Sequence, residues 1–173
     1  MVLFILEKNI DSDEFIRVCL NKYLEIAKGL NLSVETSLLN MDNLAEKVVI
    51  NRDKKPYFTL NKQPINIKFN LSHTSGAMVL LMDTKEVGVD IEKIKDRDYK
   101  AISKRENFDV DSLEDFYKKW TKCEAYLKYY GGSVLSVKNN KNFDLNSVKT
   151  IDILDGYSIS IKPFDNLLIS ILT

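Results

Sequence analysis

The stretch from Asn70 to Glu92 constrains the fold more than any other part of the chain. Lys68–Ser72 alternates polar and apolar residues, the period of a strand with one covered face. Ala77–Met82 and Glu86–Glu92 are apolar runs separated by Asp83-Thr84-Lys85, and that spacing with that turn chemistry predicts a hairpin. The second run closes on Val87-Gly88-Val89-Asp90-Ile91-Glu92. On a strand, Asp90 and Glu92 project from one face and Val89 and Ile91 from the other. Neighbouring carboxylates resist joint ionisation, so such a pair needs a cation, a shared proton or open water. A strand with acids on its wet face meets the pattern, and so does an oxygen-donor site for a hard cation such as Mg²⁺. His73, the single histidine of the chain, ends the first strand among Ser72, Thr74, Ser75 and Gly76. It reads either as a structural residue or as an imidazole placed to bind an anion.

The 173 residues suit one domain or two small halves sharing a core. Lysine plus arginine equals aspartate plus glutamate at 25 each, so nothing global recommends nucleic acid or an anionic membrane as partner. Cys19 and Cys123 form neither a disulfide framework nor a metal-ligand spacing, which fits a reducing compartment. The apolar start Val2–Leu6 is too short for a signal sequence and is followed by Glu7, and no run approaches a membrane span. The expectation is a cytoplasmic, soluble protein.

In chain order, Met1–Leu6 reads as a buried strand. Asp11-Ser12-Asp13 caps an amphipathic helix that ends near Gly29. A weaker helical pattern covers Ser37–Glu46, and Val48–Ile50 is strand-like. Asn51–Phe58, broken by Pro56, reads as a loop, and Asn61–Pro64 as a turn. Lys93–Lys104 is a charged connection with a short helix. Asp111-Ser112-Leu113-Glu114 caps a long helix that runs to Tyr130 and is closed by Gly131-Gly132. After Ser136 come strands with turns at Asn139-Asn140, Asp155-Gly156 and Pro163–Asp165. There Ile151–Leu154, Tyr157–Ile161 and Leu167–Leu172 are expected to form one antiparallel sheet. The long helix carries Trp120, Glu124 and Lys128 at i, i+4 and i+8 on one face, an arrangement that an ordinary surface ion pair also explains.

Three separated segments, Asn70-Leu71-Ser72-His73-Thr74, Gly88-Val89-Asp90-Ile91-Glu92 and Trp120-Thr121-Lys122-Cys123-Glu124-Ala125-Tyr126-Leu127-Lys128, resemble in order and spacing the motifs of the 4′-phosphopantetheinyl transferase superfamily. Lys54-Lys55-Pro56-Tyr57 resembles its upstream Gly-Lys-Pro loop. The likeness is to the larger, single-chain type of the surfactin synthetase activator. It implies an α+β fold of two similar halves, 1–97 and 98–173, packed as a pseudo-dimer, each with a small antiparallel sheet and a helix, in a monomer.

The resemblance implies transfer of the phosphopantetheine arm of coenzyme A to a serine of an acyl or peptidyl carrier protein, releasing adenosine 3′,5′-bisphosphate. By motif position, Asp90, Glu92 and Glu124 would hold Mg²⁺, with Mn²⁺ as the alternative. Glu124 would take the serine proton, and Lys128 would pair with a phosphate. Ser72 and His73 would contact a coenzyme A phosphate, and Lys55 and Pro56 would frame the adenine side. Trp120 reads as core support.

Cys123 stands where the family has lysine, Lys54 where it has glycine, and Arg17, Lys22 and Lys28 give no clear match to its N-terminal basic motif. A degenerate member that binds coenzyme A or carrier protein without efficient transfer is therefore the alternative. An unrelated Mg²⁺-dependent phosphotransfer enzyme is a third reading.

Overall fold

The computed structural model describes residues 1–53, 55–132 and 144–172. Lys54 and the turn expected at Asn139-Asn140 lie outside them. The fold is α+β, in four layers. A helical layer covers one face of a six-stranded sheet, a three-stranded sheet packs on its other face, and a long helix covers the outside of the small sheet.

The first strand, β1 (Val2–Leu6), lies at the centre of this stack and is buried along its whole length. Its side chains alternate between two cores. Val2, Phe4 and Leu6 join Phe15, Ile16, Cys19, Leu20 and Tyr23 of α1 (Ser12–Leu30), whereas Leu3 and Ile5 face the small sheet. The period-2 geometry of a strand puts both sets on one short, wholly apolar segment. Helix α1 is capped as its sequence predicts, Asp11 accepting from the N–H groups of Asp13 and Glu14 at 2.9 and 3.0 Å. The stretch read as one weak helix is two single turns, α2 (Thr36–Leu39) and α3 (Leu44–Lys47). Asn43, in the left-handed region at φ 56°, separates them.

β2 (Val49–Asn51), β3 (Tyr57–Leu60), β4 (Gln63–Thr74) and β5 (Ala77–Asp83) follow. The large sheet has the order β2-β3-β4-β5-β1-β9, with β9 formed by Leu168–Leu172. The loop expected over residues 51–58 is shorter than read, since Tyr57 and Phe58 already pair with Asn51 and Ile50. The expected hairpin between Ala77–Met82 and Glu86–Glu92 does not form. β5 pairs instead with β4 and β1, its apolar residues being wanted on both faces of a central strand. After Val87 the chain crosses to the small sheet, where β6 (Gly88–Lys93) pairs with β8 (Tyr157–Lys162), itself paired with β7 (Lys149–Ile151).

The last strand also departs from expectation. β9 runs parallel to β1 at the edge of the large sheet rather than joining β7 and β8. β6 and β9 thus each pair with strands from the other side of residue 97.

Beyond β6 lie α4 (Tyr99–Glu106) and α5 (Leu113–Tyr130). Ser112 caps α5 by accepting from Asp115 N–H at 3.1 Å, and Gly131 ends it at φ 70°, a left-handed conformation that glycine adopts without strain. Residues opposite each other in an antiparallel pair share a face. Asp90 therefore sides with Ser160 and Glu92 with Ser158, and α5 packs on this polar face. Its Thr121 hydroxyl lies 3.0 Å from Ser158 Oγ and 2.8 Å from Ser160 Oγ. Val89, Ile91, Ile159 and Ile161 turn the other way into the core against the large sheet. The end of α5 is held too. Buried Lys162 places its ammonium 5.0, 5.1 and 5.8 Å from the rings of Tyr126, Tyr129 and Tyr130 and hydrogen-bonds Ser147.

Candidate active site

The end of β4, the loop before β3 and the C-terminus of α5 meet around a cleft of about 320 Å³. Its walls include Arg52, Lys55, Pro56, His73, Lys128 and Gly131. Four residues read from three separate sequence segments, Lys55 with Pro56, His73 and Lys128, are thus brought together. His73 is exposed at the strand end. Lys55 donates to Tyr129 O at 2.7 Å and pairs with Glu86, so it also ties the loop to α5. Arg52, which pairs with Asp13, was not singled out from the sequence. Its place three residues before Lys55 was the available signal.

Ser72 points to the opposite face of β4 from His73 and is buried. With its neighbours on that face it performs a structural task. Asn70 Oδ1 accepts the Val89 N–H at 3.0 Å, Ser72 Oγ accepts the Ile91 N–H at 3.4 Å, and Thr74 Oγ1 accepts the Lys93 N–H at 3.5 Å. Side chains at alternate positions of β4 thereby take the place of a neighbouring strand for the free edge of β6. Ser72 Oγ also donates to Asp90 Oδ1 at 2.8 Å and receives Lys128 Nζ at 2.9 Å, while Lys128 Nζ reaches the same Asp90 Oδ1 at 2.7 Å. Lys128 therefore belongs both to the cleft and to the carboxylate group behind it.

That group comprises Asp90, Glu92 and Glu124. Burial pushes all three carboxyls above their ordinary range. For Asp90, Lys128 and Ser72 oppose the shift, whereas the charge of Asp90 adds to it at Glu92 and at Glu124. Glu124 is raised from 4.5 to about 7. Among the described residues no three His, Cys, Asp or Glu side chains are grouped so as to hold a metal ion. The donor chemistry nevertheless fits a hard cation. The charge of Asp90 raises the carboxyls of Glu92 and Glu124, and Asp90 Oδ2 is buried with no hydrogen-bond partner among the described residues.

A stability prediction follows from these shifts. The fold favours the neutral carboxyls; at Glu124, as pH rises from about 4.5, the unfolded chain releases its proton first and the folded state retains that proton up to about 7. Stability is lost across that window. In cation-free buffer the melting temperature is expected to be lower at pH 8 than at pH 5.5, as scanning calorimetry can test; a rise would contradict the charge placement.

Trp120 packs against Phe108 and Phe116, as core support for α5. Arg17 bonds Ala45 O and Val48 O, and Lys22 pairs with Glu25, so these two first-helix cations serve local structure. Cys123 is buried and its thiol is pushed up to about 11, while burial raises Cys19 further. Neither is a thiolate near neutrality. Both are expected to resist a disulfide reagent at pH 7.5 in the native protein and to react in denaturant; fast native labelling of Cys123 would overturn this.

A scan against protein-family models finds no match. Two curated proteins are similar. "Putative 4'-phosphopantetheinyl transferase" of Haemophilus influenzae is 32% identical over 103 residues, covering 51% of this chain and 42% of that protein. "4'-phosphopantetheinyl transferase gsp" of Aneurinibacillus migulanus is 28% identical over 129 residues, covering 66% of this chain and 50% of that protein. The chain thus spans about half the length of the curated relatives it matches. With the ordered motifs and the α+β fold, these similarities support membership of the 4′-phosphopantetheinyl transferase superfamily.

Proposed function

We propose that the protein transfers the 4′-phosphopantetheine arm of coenzyme A to a serine of an acyl or peptidyl carrier protein. The observation that carries this reading is the cationic cleft joined through Lys128 to a buried carboxylate group. Polyanion binding and proton removal are thereby adjacent on one helix. In the reaction the carrier serine oxygen attacks the β-phosphorus of coenzyme A. The bond from that phosphorus to the oxygen bridging to the α-phosphate breaks, and adenosine 3′,5′-bisphosphate departs with the electron pair.

Glu124 accepts the serine proton, directly or through water, from its half-buried place on α5 one turn before Lys128. Arg52, Lys128 and His73 bind and orient the phosphates, and Lys55 and Pro56 frame the adenine side. Asp90, Glu92 and Glu124 would hold a divalent cation, Mg²⁺ or Mn²⁺, which when bound supplies charge neutralisation for the pyrophosphate. Ser72, read from the sequence as a phosphate contact, serves in this reading to position Asp90 and Lys128. The reading carries with it a cytoplasmic monomer with halves 1–97 and 98–173.

The carrier surface is sought on the basic flank of α5. There Lys118 and Lys119 pair with Glu114 and Asp115 one turn back, leaving Lys122 and Lys149 beside the same hollow. The deciding experiment is intact mass of apo carrier proteins after incubation with this protein, coenzyme A and Mg²⁺, with a parallel sample in chelator. A cation-dependent gain of one phosphopantetheine arm supports the reading. No gain on acyl or peptidyl carriers, with coenzyme A still bound, supports the degenerate member that Cys123 favours.

A further inference from the structure

We propose that Lys128 is a coupling residue shared between the two parts of the site. In the ligand-free protein its ammonium stands in for a cation at Asp90, and it turns into the cleft when a divalent cation takes that place, so that cation and phosphate bind cooperatively. This inference rests on the cation-binding part of the function proposed above.

The geometry of the pair motivates it. Lys128 Nζ lies 2.7 Å from Asp90 Oδ1 and 2.9 Å from Ser72 Oγ, yet the same residue lines the cleft. The other long cations of the cleft pair elsewhere, Arg52 with Asp13 and Lys55 with Glu86. Among the described cations of the cleft, Lys128 is the one whose partner belongs to the carboxylate group. Its hold on Asp90 is also incomplete: Oδ2 is buried with no hydrogen-bond partner among the described residues. A divalent ion satisfies this group better than an ammonium does.

The helix itself is fixed. Its backbone abuts Gly88, Thr121 is bonded to Ser158 and Ser160, and the rings of its last turn surround Lys162. Only the flexible four-carbon stem of Lys128 is free to swing. Ser72 keeps its bond to Asp90 and holds the carboxylate in place as the ammonium leaves. Linkage then requires the effect to be mutual: an anion that draws Lys128 into the cleft exposes Asp90 to a cation, and a cation at Asp90 frees Lys128 for the anion.

The first test uses the wild-type protein and Mg²⁺ alone. In cation-free buffer the ammonium of Lys128, held by Asp90 and Ser72, is expected to give a resolved ¹H–¹⁵N signal. Mg²⁺ should shift or abolish that signal with no coenzyme A present. In parallel, Mn²⁺ affinity is read by electron paramagnetic resonance. Lys128→Met is expected to bind Mn²⁺ about tenfold more tightly, because no ammonium has to be displaced. Mg²⁺ should raise the affinity for adenosine 3′,5′-bisphosphate more in the wild type than in Lys128→Met.

Should Lys128→Met fail to fold, the wild-type resonance decides alone. Mn²⁺ binding with an unmoved Lys128 signal overturns the coupling and leaves the proposed function standing. No Mn²⁺ binding to the wild type removes the cation-binding part of that function and the coupling with it. Equal enhancement by Mg²⁺ in both proteins also overturns the coupling.

Discussion

Glu124→Gln is expected to lower transfer to the carrier serine by at least about a hundredfold, the scale of a lost general base, while leaving the protein as stable or more stable at pH 8. The two effects have one cause. Glu124 sits half-buried beside Asp90 and Glu92, and burial first, then the charges of Asp90 and Glu92, raises its carboxyl to about 7. Ionised, it is available to take a proton, but the fold is strained by its charge. Glutamine keeps the shape and removes the charge, so the base is lost and the repulsion is relieved. The pH dependence of stability should flatten in the variant for the same reason, since the Glu124 proton retained between about 4.5 and about 7 is gone. Steady-state transfer assays and melting curves at pH 5.5 and 8 in cation-free buffer check both halves. Wild-type activity in Glu124→Gln would remove Glu124 from the mechanism. A large loss of stability at pH 8 would show that its charge is held by favourable contacts instead.

Gly88→Ala is expected to destabilise the protein by about 3 kcal/mol, the upper end of the usual cost of overpacking. A Cβ on Gly88 would meet Ala125 O at 2.2 Å, Tyr129 N at 2.6 Å and Tyr129 Cα at 2.9 Å. All three are backbone atoms of α5, so no side chain can rotate away, and the helix must retreat from β6. That retreat separates Glu124 and Lys128, on the helix, from Asp90 on the strand. Misplacement by about an ångström can cost a hundredfold in rate, so whatever protein remains folded should also be poorly active. Gly29→Ala is the matched control. Nothing lies within 4 Å of a Cβ there and the residue is helical, so alanine should stabilise by about 1 kcal/mol at most. Urea unfolding of both variants tests the contact. A Gly88→Ala protein within about 0.5 kcal/mol of wild type would mean that strand and helix do not meet as described.

The elements recovered from the sequence are those whose signals are local. The caps of α1 at Asp11 and of α5 at Ser112 and Gly131 were legible because a cap is made by residues within a turn of it. The opposed faces of β6 were legible because strand geometry alone separates Asp90 from Val89 and Ile91. Misread were pairings that depend on what lies across the molecule. Val79 and Leu81 look the same whether β5 pairs with Glu86–Glu92 or stands between β4 and β1. Leu168–Leu172 carries no mark of a parallel rather than an antiparallel neighbour.

The site divides along the same line. Spacing alone put Asp90 with Glu92 on one strand face and Glu124 with Lys128 on one helix face, because both are one-dimensional patterns; it was the resemblance to the family's ordered motifs that singled out these four, with His73 and Lys55, as candidate site residues. Tertiary structure alone decided that Lys128 spans cleft and carboxylates, that Ser72 turns inward to hold Asp90 and the edge of β6, and that Arg52 joins the cleft. These are contacts between residues far apart in the chain. Their partners are selected by the packing of β6 and α5 against each other, which no single segment encodes.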